Sequence, residues 1–212
     1  MVLAVLVFAY LLGAIPFAVL VASYIGGIDL RHTGSGNTGA MNTIRSVGKL
    51  PGLFAGALDA AKGAIAMLVA RVLIGRDAAA LAGGVAIVGH CCSIWLLWAA
   101  RHEHGGGWKR WLRRMGGKGL ATGLAVLLIM NWPTFILMIV IFFVVFGLQF
   151  LLPLGPERRK DETWPTVIAL ALVPVALWYW THNQLLLTAG VVLAIAIVIK
   201  HLPDLRESFY VA

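Results

Sequence analysis

The amino-acid sequence predicts an all-α, polytopic membrane protein with seven transmembrane helices, its N-terminus outside and its C-terminus inside. Hydrophobic residues make up 60% of the 212 residues and charged residues only 12%, about half the share of charge that a soluble domain carries. Apolar stretches of roughly 20 residues, each enough to cross the hydrocarbon core of a bilayer, follow one another along the chain. The length leaves room for one domain, residues 1–212, with short connectors.

Composition also narrows the class of function. The formal net charge is +8, which in a membrane protein is more typical of cytoplasmic loops facing anionic lipid than of a nucleic-acid site. Cys91 and Cys92 are adjacent within an apolar segment, so we expect free thiols rather than a disulfide or a zinc site. The pair His102 and His104 has no evident third ligand. We therefore predict no metal and no cofactor.

The first three predicted helices are separated by one long polar loop and one short turn. Residues 2–25 form an unbroken apolar run without the basic start of a cleavable signal, so we expect a retained helix that Pro16 kinks. The polar loop covers 26–50. A second helix covers 51–74, because a proline suits its first turn, and a third covers 78–99.

The connector 101–118 is basic and carries a helical pattern of its own. The apolar residues at helical spacing are Trp108, Trp111, Leu112 and Met115, and the basic residues between them are Lys109, Arg110, Arg113 and Arg114. The pattern predicts an amphipathic helix in a cytoplasmic insert, residues 100–116, with its apolar side in the acyl boundary and its basic side on lipid headgroups. An ordinary charged loop is the alternative.

Four further helices complete the prediction. The apolar run after residue 118 is too long for one helix and is interrupted at Pro133, which divides it in two. The four helices cover 119–131, 133–153, 164–181 and 184–200. The first of them is short for a full crossing, but seven crossings place fourteen lysines and arginines inside and only Arg71 and Arg76 outside, as the positive-inside rule favours.

The polar loop contains a glycine-rich stretch, GSGNTGAMNTIR, at residues 34–45. Glycines let successive backbone N–H groups converge on one point, and such a concavity binds anions. The first six residues also fit the G-x-G-x-x-G dinucleotide pattern, but an apolar helix stands where that pattern requires a strand. We predict an anion-binding loop, with a flexible connector of no function as the alternative.

A second stretch suited to phosphate, residues 116–119, lies at the same predicted face and places Lys118 at a helix start. Lys118 and Arg45 could together surround one or two phosphates, although Lys118 could also merely follow the positive-inside rule. Lys200 and His201 come at the end of the last helix and so at this same face.

Asp59, Lys62 and His90 lie well inside predicted helices. Asp59 and Lys62 are three residues apart on one helix face, where charges at such depth indicate either a mutual ion pair or a role in a substrate pocket. His90 is either a satisfied core histidine or, near bound phosphate, a hydrogen-bonding group or proton relay. The sequence offers neither a Ser-His-Asp spacing nor a cysteine nucleophile.

Together these motifs resemble the bacterial acyl-phosphate:glycerol-3-phosphate acyltransferase family over residues 10–125, more than half of the chain. The loop matches Gly-Ser-Gly-Asn-x-Gly-Ala-x-Asn-x-x-Arg. The helix after it carries Asp-x-x-Lys-Gly at 59–63, and the next helix carries Gly-His at 89–90. Residues 116–122 match Gly-Gly-Lys-Gly-x-Ala-Thr.

The resemblance implies a multi-pass protein of the bacterial plasma membrane that transfers a fatty acyl group from acyl-phosphate to the 1-hydroxyl of glycerol 3-phosphate, giving lysophosphatidate and phosphate at the cytoplasmic face. An acyl-phosphate already has a good leaving group, so no covalent nucleophile is needed and positioning suffices. The implied catalytic residues are His90, Ser35 and Lys118. The implied substrate-binding residues are Gly34, Ser35, Gly36, Asn37, Thr38, Gly39, Asn42, Arg45, Asp59, Lys62, Gly116, Gly117, Lys118, Gly119, Thr122, Lys200, His201 and Asp204.

Within that set the resemblance implies a division of tasks. Residues 35–39 would cradle the acyl-phosphate, Arg45 and Lys118 would clamp glycerol 3-phosphate, and His90 and Asn42 would orient one or both substrates. The acyl chain would lie between the second, third and fourth predicted helices. We expect a monomer whose partners are the two substrates and membrane lipid, and no nucleic acid.

The chain departs from the family pattern at several positions. Met41 stands where the family has threonine, Cys92 and Ser93 replace an aromatic residue and a proline, and the interval 89–116 is longer. Asp204 stands where the family has asparagine, and a carboxylate there would repel a phosphate. The alternative function is a non-enzymatic membrane transporter or binding protein for anions or lipid phosphates. A transporter would need a midplane site between repeated halves, and the sequence has no apparent repeat.

Overall fold

The structure, a computed structural model, describes residues 1–101, 107–152 and 161–210, with side chains described up to residue 207. His102, His104 and the basic residues 158–160 lie outside the described residues. Regular structure in the described ranges is helical, with one 3-10 turn at Leu30–His32. The α-helices are α1 Val2–Ala14, α2 Phe17–Gly26, α3 Ala40–Ser46, α4 Lys49–Leu73, α5 Arg76–Cys91, α6 Ile94–Ala99, α7 Gly107–Arg114, α8 Leu120–Met130, α9 Trp132–Leu151, α10 Thr163–Ala171, α11 Val173–Thr181 and α12 Gln184–Tyr210.

By length and composition, six helical segments of the described chain could cross a membrane. They are Val2–Gly26, Lys49–Leu73, Arg76–Ala99, Trp132–Leu151, Thr163–Thr181 and Gln184–Glu207. The helix α8 is apolar but shorter, with 11 residues. At 1.5 Å per residue it extends for about 17 Å.

The first predicted helix is divided at Pro16 rather than merely kinked. Ile15 is extended, with φ −60° and ψ 118°, because the ring of Pro16 clashes with the helical conformation of the residue before it. Two side chains from elsewhere bind the carbonyls at the break: Ser93 Oγ donates to the Ala14 oxygen at 2.5 Å and Lys62 Nζ to the Ile15 oxygen at 2.7 Å. These two hydrogen bonds therefore connect the junction of α1 and α2 to α4 and to the residue that precedes α6.

The helices α1 and α5 pack with their backbones in contact because glycines face the partner helix. A Cβ on Gly13 would lie 2.1 Å from the Ala86 carbonyl oxygen, and one on Gly89 would lie 2.3 Å from the Tyr10 carbonyl oxygen. Small residues are what permits such an approach between membrane helices. The contact fixes the C-terminal end of α5, where His90 lies.

Three other predicted helices differ from their expected bounds. The third is interrupted at Ser93, which caps α6, and the sixth is divided into α10 and α11 just before Pro174. The last does not end at residue 200 but continues as α12 through Pro203. As a consequence, His201 and Asp204 stand one turn apart on a helix instead of in a tail.

The amphipathic helix expected in the insert is present as α7, but part of its basic side is paired within the protein. Leu112 is buried, while the two tryptophans are about half exposed. An Arg113 nitrogen lies 2.8 Å from carboxylate oxygens of both Asp204 and Glu207 on α12. Lys200 Nζ donates to the Leu112 carbonyl oxygen. The expectation that Arg113 faces lipid headgroups is therefore wrong.

Candidate active site

A cavity of about 500 Å³ lies where α8 and α10 begin and where α5 and α12 end. It brings the two stretches that the sequence marks for phosphate binding to one place, and both Ser35 and Lys118 line it. The lining residues are Ser35, Asn37, Gly39, Ala40, Met41, Asn42, Arg45, Asp59, His90, Arg113, Lys118, Gly119, Leu120, Ala121, Phe142, Asp161, Glu162, Thr163, Thr166, His201 and Asp204.

The glycine-rich loop is held in shape by Asn42, which is 3% exposed. Its side-chain nitrogen donates to the carbonyl oxygens of Thr33 and Asn37 at 2.9 Å and of Leu30 at 3.3 Å. Its side-chain oxygen accepts from the Ser35 N–H at 3.1 Å. Asn42 therefore shapes the loop from inside, and it also lines the cavity, where the resemblance implied a substrate contact.

The conformation of the loop requires glycine at two positions. Gly34 and Gly36 have φ of +60° and +70°, which L-residues rarely adopt. Two polar side chains of the same loop, Asn37 and Thr38, are buried, and Asn37 Oδ1 and Thr38 Oγ1 have no hydrogen-bond partner among the described residues. Buried polar atoms without partners are rare in proteins. The Thr38 hydroxyl could donate to a phosphate oxygen, whereas Asn37 Oδ1 only accepts and would need a donor, such as a substrate hydroxyl.

Asp59, Lys62 and His90 form a buried cluster beside the cavity. Lys62 Nζ lies 2.8 Å from Asp59 Oδ1, and His90 Nδ1 lies 3.5 Å from the same oxygen. Asp59 and His90 line the cavity, whereas Lys62 points away from it to the carbonyl oxygen of Ile15. Both readings of the pair therefore apply: Lys62 is structural, and Asp59 faces His90 at the cavity wall.

Gly116 and Gly117 let the chain pass directly against His90. The Gly117 N–H donates to the His90 carbonyl oxygen at 3.2 Å. A Cβ on Gly117 would lie 2.3 Å from His90 Nε2, and one on Gly116 would lie 2.3 Å from the Cys91 carbonyl oxygen. These glycines lie directly against His90 and Cys91 and do not line the cavity.

The cations at the cavity have different partners. Lys118 Nζ lies 2.6 Å from Asp204 Oδ2, and Arg113 contacts the other oxygen of that carboxylate. Burial lowers the pKa of Arg113, but hydrogen bonds to Asp204 and Glu207 outweigh it, so the pKa of this guanidinium lies above its ordinary value. Arg45 is exposed and makes no hydrogen bond or ion pair within the described part of the chain. It is thus available to an incoming anion.

Several implied site residues have structural partners and do not line the cavity. Thr122 Oγ1 donates to the Asp59 carbonyl oxygen at 2.7 Å, and Lys200 binds the Leu112 carbonyl oxygen. The implied residues outside the lining are Gly34, Gly36, Thr38, Lys62, Gly116, Gly117, Thr122 and Lys200.

The cavity also contains residues that sequence reasoning missed. Besides Ala40, Met41, Leu120 and Ala121, they are Arg113, Phe142, Asp161, Glu162, Thr163 and Thr166. Helical periodicity alone places Arg113 on the face expected to meet lipid. Asp161 and Glu162 belong to no motif, although a chain with only nine acidic residues offers some reason to single them out.

An apolar cavity of about 220 Å³ continues from the polar one between α8, α9, α10 and α12. The two cavities share Leu120, Phe142 and Thr166. Another cavity, of about 490 Å³, does lie between α4, α5 and α8, where the acyl chain was expected. It opens beside Arg71 and Arg76 and shares no lining residue with the polar cavity.

Comparison with known proteins places these features among related sequences. A family model described as Glycerol-3-phosphate acyltransferase matches residues 3–209. A relative of that name from Jannaschia sp. (strain CCS1) is 46% identical over 125 residues, 59% of this chain and 54% of the relative, so the chain spans about half of that relative's length. One from Synechococcus sp. (strain CC9902) is 34% identical over 206 residues, 97% of this chain and 90% of the relative.

The fold is similar to a solved structure as well. It matches the crystal structure of PlsY (YgiH), an integral membrane glycerol 3-phosphate acyltransferase, in its glycerol 3-phosphate form. The TM-score is 0.78 and the identity 25%, covering 99% of this chain and 92% of that chain. With six helical segments apolar enough to span a bilayer, the chain is a multi-pass membrane protein.

Proposed function

Because the chain belongs to the glycerol-3-phosphate acyltransferase family, we propose that it transfers a fatty acyl group from acyl-phosphate to the 1-hydroxyl of glycerol 3-phosphate. The products are lysophosphatidate and inorganic phosphate. One observation carries the proposal: a single cavity is lined by the glycine-rich loop, by Arg45, Lys118 and His90, and it opens onto an apolar groove. Two phosphates and one acyl chain need that combination.

The reaction needs positioning and charge neutralisation rather than a covalent intermediate. We assign the loop 35–39 to the acyl-phosphate and the cations Arg45 and Lys118 to the phosphate of glycerol 3-phosphate. The attacking hydroxyl forms a bond to the acyl carbon, the bond from that carbon to the phosphate oxygen breaks, and phosphate leaves. The hydroxyl proton goes to His90, which faces the carboxylate of Asp59, or to the leaving phosphate.

The deciding experiment supplies the purified protein with acyl-phosphate and labelled glycerol 3-phosphate, and with acyl-CoA in a parallel sample. We expect labelled lysophosphatidate from acyl-phosphate. Lysophosphatidate from neither donor removes the enzyme proposal. In that case uptake of labelled glycerol 3-phosphate by liposomes containing the protein would favour the transporter alternative.

Replacing Gly117 with alanine is expected to lower kcat by about tenfold, because displacement of a catalytic group by about 1 Å is costly. The new Cβ would lie 2.3 Å from His90 Nε2. The matched control is Gly147→Ala on α9, where a Cβ meets no atom within 4 Å. Equal kcat values for the two variants would show that the position of His90 does not matter.

We place the acyl chain in the apolar groove between α8, α9, α10 and α12. Replacing Leu124 with tryptophan is expected to fill the groove, so kcat/KM should fall by about tenfold for long acyl-phosphates and less for short ones. Leu124 lines the groove, whereas Leu128 on the same helix does not and is 48% exposed. Leu128→Trp is therefore the control, and an equal change in both variants would contradict the placement.

We propose seven crossings with the site at the cytoplasmic face of a bacterial plasma membrane, and a monomer as the working unit. The seventh crossing would be the short helix α8, in addition to the six longer apolar segments. Its first residue, Leu120, lines the polar cavity, and its last, Met130, shares a cavity with Arg71 and Arg76 at the turn between α4 and α5. Support also comes from the positive-inside rule. Labelling of Arg76→Cys in a variant without Cys91 and Cys92, using a membrane-impermeant thiol reagent, tests it: reaction from outside is expected.

A further inference from the structure

Two cations and one carboxylate meet in the candidate site. Asp204 lies on α12, Arg113 belongs to the basic segment between the two glycine motifs, and Lys118 belongs to the second of these motifs. An Arg113 nitrogen lies 2.8 Å from Asp204 Oδ1, while Lys118 Nζ lies 2.6 Å from Asp204 Oδ2. All three side chains line the polar cavity. One carboxylate thus bridges a cation of the insert and a cation of the phosphate clamp.

A carboxylate at this position has a cost for substrate binding. Asp204 forms an ion pair with Lys118, the lysine that the proposed function assigns to the phosphate of glycerol 3-phosphate. The negative charge of Asp204 also repels an arriving phosphate. Side chains of Asp204 and Lys118 are only 23% and 26% exposed, so water screens this repulsion less than at an open surface. Arg113 is the group that opposes it, because it holds the second oxygen of the same carboxylate.

We propose that Asp204 is a resident counter-ion of the phosphate site and that Arg113 neutralises it when substrate phosphate takes its place beside Lys118. This inference rests on the proposed function and adds a residue to it. Arg113 is a positioning residue: it acts on substrate affinity through Asp204. The insert thereby compensates the aspartate that would otherwise weaken the site.

The test is a double-mutant cycle on KM for glycerol 3-phosphate. We expect Arg113→Gln to raise KM by about tenfold and Asp204→Asn to lower it by about threefold, and we expect Arg113→Gln with Asp204→Asn to return to within about threefold of the unmodified protein. We expect kcat to stay nearly constant throughout. A double variant as poor as Arg113→Gln, or a higher KM in Asp204→Asn, would overturn the proposal.

Glu207 supplies the matched control. The same Arg113 nitrogen lies 2.8 Å from Glu207 Oε2, the same distance as from Asp204. Glu207 is 49% exposed and does not line the cavity. Glu207→Gln should therefore leave KM unchanged, and a change equal to that of Asp204→Asn would mean that general loss of acidic charge explains the result.

A second measurement separates this inference from the proposed function. A ligand that binds the folded state raises the melting temperature, so inorganic phosphate at constant ionic strength should stabilise Asp204→Asn more than the unmodified protein and Arg113→Gln less. If the protein makes no lysophosphatidate but the melting-temperature increases follow this order, the acyltransferase proposal fails and the counter-ion proposal is supported. If the protein does make lysophosphatidate, but inorganic phosphate raises the melting temperature of all three proteins equally, only the counter-ion proposal fails.

Discussion

Alanine at Lys118 or at Arg45 is expected to raise KM for glycerol 3-phosphate by roughly 50-fold in each case, since a hydrogen bond to a charged group contributes about 1.5–3 kcal/mol. Both side chains line the polar cavity with the glycine-rich loop. Neither is proposed to move a proton, so kcat should fall much less than kcat/KM. Steady-state kinetics with labelled glycerol 3-phosphate at saturating acyl-phosphate measures both values.

A third cation, Lys49, shows whether the increase in KM is specific to cations that line the cavity. Lys49 begins α4, is exposed and does not line the cavity. Lys49→Ala should therefore retain the KM of the unmodified protein. Unchanged KM in both Arg45→Ala and Lys118→Ala would show the clamp assignment to be wrong.

Replacing Lys62 with methionine is expected to destabilise the protein by about 3–5 kcal/mol, as breaking a buried ion pair from one side does. The lysine is 1% exposed, faces Asp59 at 2.8 Å and binds the Ile15 carbonyl oxygen at the helix break. Its removal leaves a buried carboxylate without its cation and a buried carbonyl without a donor. Thermal unfolding in detergent micelles should show a large fall in the melting temperature.

The double variant Asp59→Asn with Lys62→Met distinguishes the two losses. It removes the uncompensated charge but not the unsatisfied carbonyl of Ile15, so stability should return in part. Lys49→Met, at an exposed site, serves as the control and should melt like the unmodified protein. A double variant no more stable than Lys62→Met would mean that the carbonyl contact alone accounts for the effect.

Sequence patterns predicted the class of the protein and its family correctly. Both follow from local information: apolar composition needs no knowledge of packing, and the loop, Asp-x-x-Lys-Gly, Gly-His and Gly-Gly-Lys-Gly motifs are each contiguous. The structural likeness and the family match confirm those two predictions. The bounds of the helices were harder to predict from the sequence. A break such as that at Pro16 depends on whether Lys62 and Ser93 are present to bind the carbonyls it frees.

The candidate site likewise has residues that the sequence identifies and contacts that only the structure shows. The residues that line the cavity from a contiguous motif, such as Ser35, Arg45 and Lys118, could be proposed from the sequence. Asn42 and Gly117 belong to those motifs too, yet their contacts with the loop backbone and with His90 are visible only in three dimensions. The insert was assigned to lipid because helical periodicity reports which residues share a face, not what that face packs against.

By itself, the sequence determined that this chain is a helical membrane protein of one family, because composition and short motifs encode those properties locally. Only the tertiary structure decided that Asp204 joins Lys118 to Arg113 and that the apolar groove opens beside α8 and α9. The physical reason is distance along the chain. Contacts between residues some 90 positions apart, such as that of Arg113 with Asp204, depend on how whole helices pack, and no local pattern records that.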